Sequence, residues 1–268
     1  MWFYIVFTAL DKGHDLKLHF TAHHASNNQV YLKMLQDKYG QYTLDDCDII
    51  IAVGGDGFML ETIHRAFMLN KPVFGMKGGT LGFLMNDFKT DHLHERLQTA
   101  VKQKLYPLRM RAMTADGNTV TSLAFNEVVI SRASRQTAKI SVTVDNILRL
   151  PELVCDGIMV STPAGSTAYN LSVSGPVLPI GSNVLALTPV SPFRPRRWRG
   201  AILPHTSQFK FDVLYADKRP VCLTADHLEV ENIISVLIHE EQQSTVTLLY
   251  DHDHPLPERI LTEQFSDY

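Results

Sequence analysis

The stretch that most restricts this chain is the apolar run Asp48-Ile49-Ile50-Ile51-Ala52-Val53, which stops abruptly at Gly54-Gly55-Asp56-Gly57. A continuous β-branched run bounded by glycines is the pattern of a strand covered on both faces, as in the interior of a parallel sheet. Beyond the glycines, Phe58, Met59, Leu60, Ile63 and Phe67 recur at helical spacing on one apolar face. A carboxylate therefore falls in a glycine turn between the carboxyl end of a strand and the start of a helix. In open α/β sheets ligands bind at that point, and glycines let backbone N–H groups approach an anion closely. Asp56 has two readings here. It orients or deprotonates a hydroxyl that receives a phosphoryl group, or it only shapes a turn, where Asp and Gly are common residues.

Around this unit the first hundred or so residues alternate in pattern. Residues 2–9 read as a strand and 28–39 as a helix, with Tyr31, Met34, Leu35 and Lys38 spaced along it. A strand at 48–53, a helix at 58–69 and a short strand at 73–75 follow. A second glycine turn, Gly78-Gly79-Thr80-Leu81-Gly82, precedes a helical stretch at 91–104. Such βαβ alternation implies a parallel sheet covered by helices. After Pro107 the period changes to that of strands, in Leu123-Ala124-Phe125, Val128-Val129-Ile130, Ile140-Ser141-Val142-Thr143-Val144 and Phe209-Lys210-Phe211-Asp212-Val213. The expected fold is an α/β N-terminal domain with a parallel sheet over 1–106 and a mostly β domain over 107–250. A tail at 251–268 follows, whose segment 258–265 reads as a helix packing back on the first domain.

Composition narrows the partners. With 268 residues, 45% hydrophobic and 20% charged, the chain suits two ordinary soluble domains. A net charge of −3 gives no sign of the basic face used by nucleic-acid binders. No apolar stretch reaches the roughly 18 residues of a membrane span. The run Trp2-Phe3-Tyr4-Ile5-Val6-Phe7 lacks a basic n-region and a cleavage site, so it reads as a strand and not a signal peptide. Cys47, Cys155 and Cys222 are scattered without metal-ligand spacing, and so sparse a count fits a reducing cytoplasm.

A second constellation lies at 156–175, where small and hydroxylated residues crowd together. Ile158-Met159-Val160 reads as a short strand and Ser161-Thr162-Pro163-Ala164-Gly165 as a loop. Ser166 or Thr167 then caps a helix running through Tyr169 and Leu171. A capped start after a glycine offers N–H groups and hydroxyls to a phosphate or ribose, and the Tyr169 ring suits stacking on a base. The alternative is a purely structural helix. Asn126-Glu127, an adjacent amide and carboxylate, can grip two ribose hydroxyls or simply form a strand corner.

Together these pieces resemble the NAD kinase family. The resemblance rests on Gly54-Gly55-Asp56-Gly57, Gly79-Thr80-Leu81-Gly82-Phe83-Leu84, Asn126-Glu127, Asp156-Gly157 and the segment Ser161 to Tyr169, in matching order over residues 45–180. The first tetrapeptide is shared with diacylglycerol and sphingosine kinases and with phosphofructokinases. The segment from Asp156 to Tyr169 is far more specific.

The resemblance implies Mg²⁺-dependent transfer of a phosphoryl group from ATP, or polyphosphate in some relatives, to the 2′-hydroxyl of the adenosine ribose of NAD. On this basis Asp56 is the general base, and Asp56 and Gly57 lie beside that ribose. Asn126 and Glu127 hold NAD, with Glu127 also near the metal-bound donor. Thr167, Ala168, Tyr169, Asn170, Leu171 and Ser172 are nicotinamide-side and ribose contacts, and Asp156 and Ala164 are further contact positions. The resemblance also implies a homodimer or homotetramer in which Asp156 acts across the interface. No Gly-x-x-x-x-Gly-Lys-[Ser/Thr] occurs, so the donor phosphates fall to Mg²⁺ and to the glycine turns with Gly54, Gly55, Gly78, Gly79 and Thr80. The metal's protein ligands are left unassigned.

Two positions depart from the family pattern. Lys77 stands where relatives usually carry Asn, either contacting the donor or pointing to solvent. Upstream of Asp156, where some relatives have a basic contact, this chain has Val154 and Cys155. Arg194, Arg196, Arg197 and Arg199 read as a solvated or interfacial loop ahead of a phosphate-binding one. His252 and His254 read as an exposed turn. The competing functions are a lipid or sugar kinase of the same superfamily and an NAD-sensing module without catalysis.

Overall fold

The computed structural model describes residues 16–79, 82–196 and 198–253. Its first elements are β1 (Leu18–Ala22), α1 (Ser26–Tyr39), β2 (Ile49–Gly54), α2 (Asp56–Leu69), β3 (Val73–Lys77), α3 (Leu93–Thr99) and β4 (Val101–Leu105). Every residue of β2 is buried, because β2 pairs in parallel with β1 on one side and β3 on the other. Ile49, Ile51 and Val53 enter a core with Leu35, Leu93 and Leu97. Ile50 and Ala52 project from the opposite face, as the two-residue period of a strand requires. Met59, Thr62, Ile63 and Ala66 are the buried side of α2, at i, i+3, i+4 and i+7. The carboxyl ends of β2 and β3 thus deliver both glycine turns to one edge of the sheet.

The middle of the chain is strand after strand. It begins with β5 (Leu108–Thr114), β6 (Thr119–Ala124), β7 (Glu127–Arg132), β8 (Ala138–Val144), β9 (Ile147–Cys155) and β10 (Gly157–Ser161). A 3-10 turn at Gly165–Thr167 and a single helical turn, α4 (Tyr169–Ser172), interrupt it. It resumes as β11 (Val184–Val190), β12 (Ala201–Pro204), β13 (Phe209–Val213), β14 (Val221–Ala225), β15 (Leu228–Glu231) and β16 (Ile233–Glu240). Two six-stranded sheets result, ordered β12-β11-β10-β7-β14-β15 and β6-β5-β16-β13-β8-β9. Their inner faces share one core, with Ile140, Val142 and Phe211 from one sheet and Ile130, Ile158 and Leu223 from the other.

The chain then forms β17 (Val246–Tyr250), which joins the first sheet to give the order β1-β2-β3-β17-β4. Two compact units follow from this path: residues up to Lys104 with those from Val246 onward, and Leu105–Thr245. The sequence pattern groups 246–250 with the β region; these residues instead pair in parallel with β3. It also extends a helix through 104. In the structure Ala100 is extended (φ −60°, ψ 138°), ending α3, and 101–105 form an edge strand with alternately exposed polar residues. β1 is not evident in the sequence, since only Leu18 and Phe20 of its five residues are fully buried. The strand expected at 2–9 and the helix at 258–265 lie outside the described residues.

Candidate active site

In the first unit α2 begins at Asp56 itself, with Gly55 extended before it and no side chain capping the helix. The N–H groups of a helix's first turn have no intrahelical acceptor, and they favour negative charge. Gly55, Gly57 and Gly79 have open space where a side chain would stand. Gly78 N–H donates to the carbonyl of Gly54 over 2.8 Å, joining the two glycine turns. Asp56 ties them again: its Oδ2 accepts from Phe83 N–H at 2.8 Å and its Oδ1 from Leu84 N–H at 3.0 Å. The carboxylate is half-buried, and each oxygen keeps acceptor capacity beyond the one bond it makes. Of the two sequence readings of Asp56, turn-shaping is therefore realised, and it leaves the acid able to accept a proton as well. Thr80 and Leu81 lie outside the described residues.

In the second unit Asn126 and Glu127 stand where β7 begins. Glu127 pairs with Ser161 across β10, so the loop following β10 starts beside it. Thr162 stitches the two segments, donating through Oγ1 to Phe125 O at 2.6 Å and through its N–H to Asn126 O at 2.9 Å. Gly165 lies so close that a Cβ there would stand 2.2 Å from the Asn126 carbonyl oxygen. Asp226, in the turn between β14 and β15, accepts from Phe125 N–H (2.6 Å) and Asn126 N–H (3.0 Å). Sequence reasoning misses Asp226: an Asp followed by His in a hairpin turn carries no signal of what it holds.

Glu127 differs electrostatically from its neighbours. Burial, reinforced by the nearby Asp226 charge, pushes its carboxyl up to about 8. Its Oε2 is buried without a hydrogen-bond partner. A neutral carboxylic acid with an unused polar atom is suited to hydrogen bonding with a hydroxyl brought in by a ligand.

The loop after β10 only partly fits the expectation. Neither Ser166 nor Thr167 caps a helix, because a 3-10 turn precedes four helical residues. Ser166 is buried, donating to Pro163 O (2.7 Å) and accepting from Leu178 N–H (2.9 Å). Asn170, expected to contact substrate, is fully buried. Its amide donates to Ser166 O and Pro176 O, and it accepts from Thr188 Oγ1 at 2.7 Å. Its side chain therefore holds the loop together. Tyr169, Leu171 and Ser172 are exposed, Thr167 and Ala168 half-buried, and Ala164 buried. Asp156 pairs with Arg132 of β7 at 2.6 Å. Arg194 and Arg196 lie against the exposed Phe193 ring, 5.6 and 5.7 Å from its centre.

Among the described residues no three His, Cys, Asp or Glu side chains group to hold a metal. Mg²⁺ needs no such cage: it keeps waters and binds through one or two carboxylates plus substrate phosphates. Asp56, between two glycine turns, fits that donor set.

A carboxylate held at a helix start between two glycine turns, at the carboxyl ends of parallel strands, lies where open α/β sheets bind ligands. The comparisons give the class. The ATP-NAD kinase N-terminal domain matches residues 5–105 and the ATP-NAD kinase C-terminal domain matches 125–238. An NAD kinase of Mesorhizobium japonicum is 49% identical over 246 residues, covering 92% of this chain and 96% of its own. One from Hyphomonas neptunium is 50% identical over 251 residues, covering 94% and 98%. In fold, the chain is similar to yeast NADH kinase complexed with NADH (TM-score 0.79, 19% identity, 96% of this chain and 90% of that one). It is also similar to an NAD kinase from Archaeoglobus fulgidus in complex with ATP (TM-score 0.72, 19% identity, 92% and 98%). The chain belongs to the ATP-NAD kinase family, and its activity is that of an NAD kinase.

Proposed function

We propose that the chain transfers the terminal phosphoryl group of Mg²⁺-bound ATP to the 2′-hydroxyl of the adenosine ribose of NAD, with Asp56 as general base. The observation that carries this reading is the double N–H anchor on Asp56, which fixes the acid where α2 begins. A ribose hydroxyl is a poor nucleophile at neutral pH, and a positioned carboxylate taking its proton contributes roughly 10²–10⁴ in rate. Gly54, Gly55, Gly78, Gly79 and Thr80 form the donor-phosphate turns, and Gly57 borders the acceptor ribose. The donor's phosphates and the Asp56 carboxylate would hold Mg²⁺, which would supply charge neutralisation at the transferring phosphoryl group.

Asn126, Glu127, Ala164, Thr167, Ala168 and Tyr169 bind NAD, with Leu171 and Ser172 at the border of that set. Asn170 serves by holding their loop. The neutral form of Glu127 donates a hydrogen bond to a ribose oxygen. Asp156 contributes across the interface of a homodimer or homotetramer. A cytoplasmic location belongs to the same reading, supported by three free cysteines.

Purified protein incubated with ATP, Mg²⁺ and NAD should form NADP, measured with an NADP-specific dehydrogenase. Phosphorylation of a lipid or sugar acceptor without NADP formation would overturn the assignment of the acceptor. NAD binding without turnover would leave only a sensing role.

A further inference from the structure

The second glycine turn opens on a cavity of about 480 Å³ lined by Tyr31, Lys77, Gly78, Gly79, Asp87, Phe88 and Lys89. Tyr31 and Phe88 stack at 4.0 Å between ring centres, making one wall rigid. Lys77 Nζ is 2.6 Å from Asp87 Oδ1, and both side chains remain more than a third exposed (36% and 39%). An ion pair so open to water is weakly held. The backbone bearing the cavity's charged residues is firm, however. Arg96 donates to the carbonyls of Lys89 (2.8 Å) and Asp87 (3.1 Å).

A side chain at position 78 would displace the Asn28 amide. Asn28, 7% exposed, sets its Oδ1 1.8 Å from where a Cβ on Gly78 would lie. That oxygen is buried and has no hydrogen-bond partner. The turn thus presents backbone at Gly79, open on its side-chain face, with Lys77 and Lys89 lining the same cavity.

We propose that Lys77 is a ligand for the terminal phosphates of the donor nucleotide, and that Asp87 is the partner it gives up when the donor enters this cavity. The inference rests on the assignment of the second glycine turn to the donor. With no Walker lysine in the chain, Lys77 at the end of β3 is the ammonium that the second glycine turn itself offers to the donor phosphates beside Mg²⁺. A terminal phosphate group, with about −1.5 to −2 charge spread over three acceptor oxygens, competes well for an exposed ammonium. Asp87 then acts as a counter-charge that keeps Lys77 beside the turn in the absence of donor.

Steady-state kinetics on the full chain test this with Lys77→Met and Asp87→Asn. Lys77→Met should raise KM for ATP about tenfold and leave KM for NAD unchanged. Asp87→Asn, which releases the lysine and removes a repelling charge, should lower KM for ATP. Inorganic tripolyphosphate should compete with ATP in the parent and inhibit Lys77→Met several-fold less. An unchanged KM for ATP in Lys77→Met sinks the proposal, as does an equal rise in both variants, which marks a structural ion pair. Should Lys77→Met fail to fold, Asp87→Asn with unaltered KM for ATP and unaltered tripolyphosphate inhibition overturns the proposal equally. Failure of the parent to form NADP from ATP counts instead against the underlying function.

Discussion

Asp56 accepts a hydrogen bond from the backbone of Phe83 over 2.8 Å, although 27 positions separate them in the chain. With the Leu84 bond beside it, this makes the two glycine turns one mechanical unit. Asp226 does the same in the second unit, accepting from Phe125 and Asn126 N–H. Each unit therefore uses an aspartate to fix the backbone of a segment assigned to substrate. A carboxylate accepting two adjacent N–H groups is a stronger positioning device than a neutral side chain.

Asp56→Asn should lower kcat by roughly 10²–10⁴, since an amide cannot take the hydroxyl's proton. Calorimetric titration should show NAD binding largely retained. Turnover at the parental rate would remove the general-base role. Part of the loss will also appear as a rise in KM for ATP, because an amide NH₂ placed opposite a backbone N–H loosens the second turn.

Glu127 predicts a pH dependence of stability. Its carboxyl titrates near 4.5 in the unfolded chain and about 8 in the fold. Between those values the unfolded chain releases a proton that the folded one keeps, so stability falls as pH rises across the window. Glu127→Gln cannot ionise and loses this dependence. Thermal melts of the ligand-free protein should show the variant gaining on the parent from pH 5 to pH 8. Parallel curves would mean that Glu127 is ionised in the fold.

Gly165→Ala should damage the NAD side selectively. The added Cβ meets the backbone oxygen and carbon of Asn126 at 2.2 and 2.4 Å, and neither can swing aside as a flexible side chain would. We expect destabilisation of about 1–3 kcal/mol in urea. KM for NAD should rise more than KM for ATP; an unaltered KM for NAD would show that Asn126 does not contribute to that site.

Arg96→Met should destabilise the first unit. The guanidinium donates to both oxygens of Asp251 at 2.9 and 2.7 Å, with both side chains only 13% exposed. Removing one partner of a buried ion pair leaves an uncompensated charge, at a cost of about 3–5 kcal/mol. A urea midpoint close to the parent's would show that this pair is dispensable for the stability of the first unit.

The most legible element in the sequence is β2 with α2, where an unbroken β-branched run meets helical periodicity at a glycine boundary. β1 is harder to see, since His19 and Thr21 interrupt its two core residues. Residues 101–105 keep enough helical character to hide an edge strand, whose identity depends on the neighbour β17. Asn170 is a contact residue only by the family resemblance, and the three internal partners that occupy its side chain are not visible in sequence.

Local order along the chain determined the chemical inventory: two glycine turns, an acid at a strand–helix junction, an amide–acid pair and a hydroxyl-rich loop. The tertiary structure decided which backbone groups Asp56 and Asp226 hold, which acid Lys77 faces, and where β17 inserts. Those pairings join residues far apart in sequence, so they follow from sheet order and burial, which periodicity along a single segment does not encode.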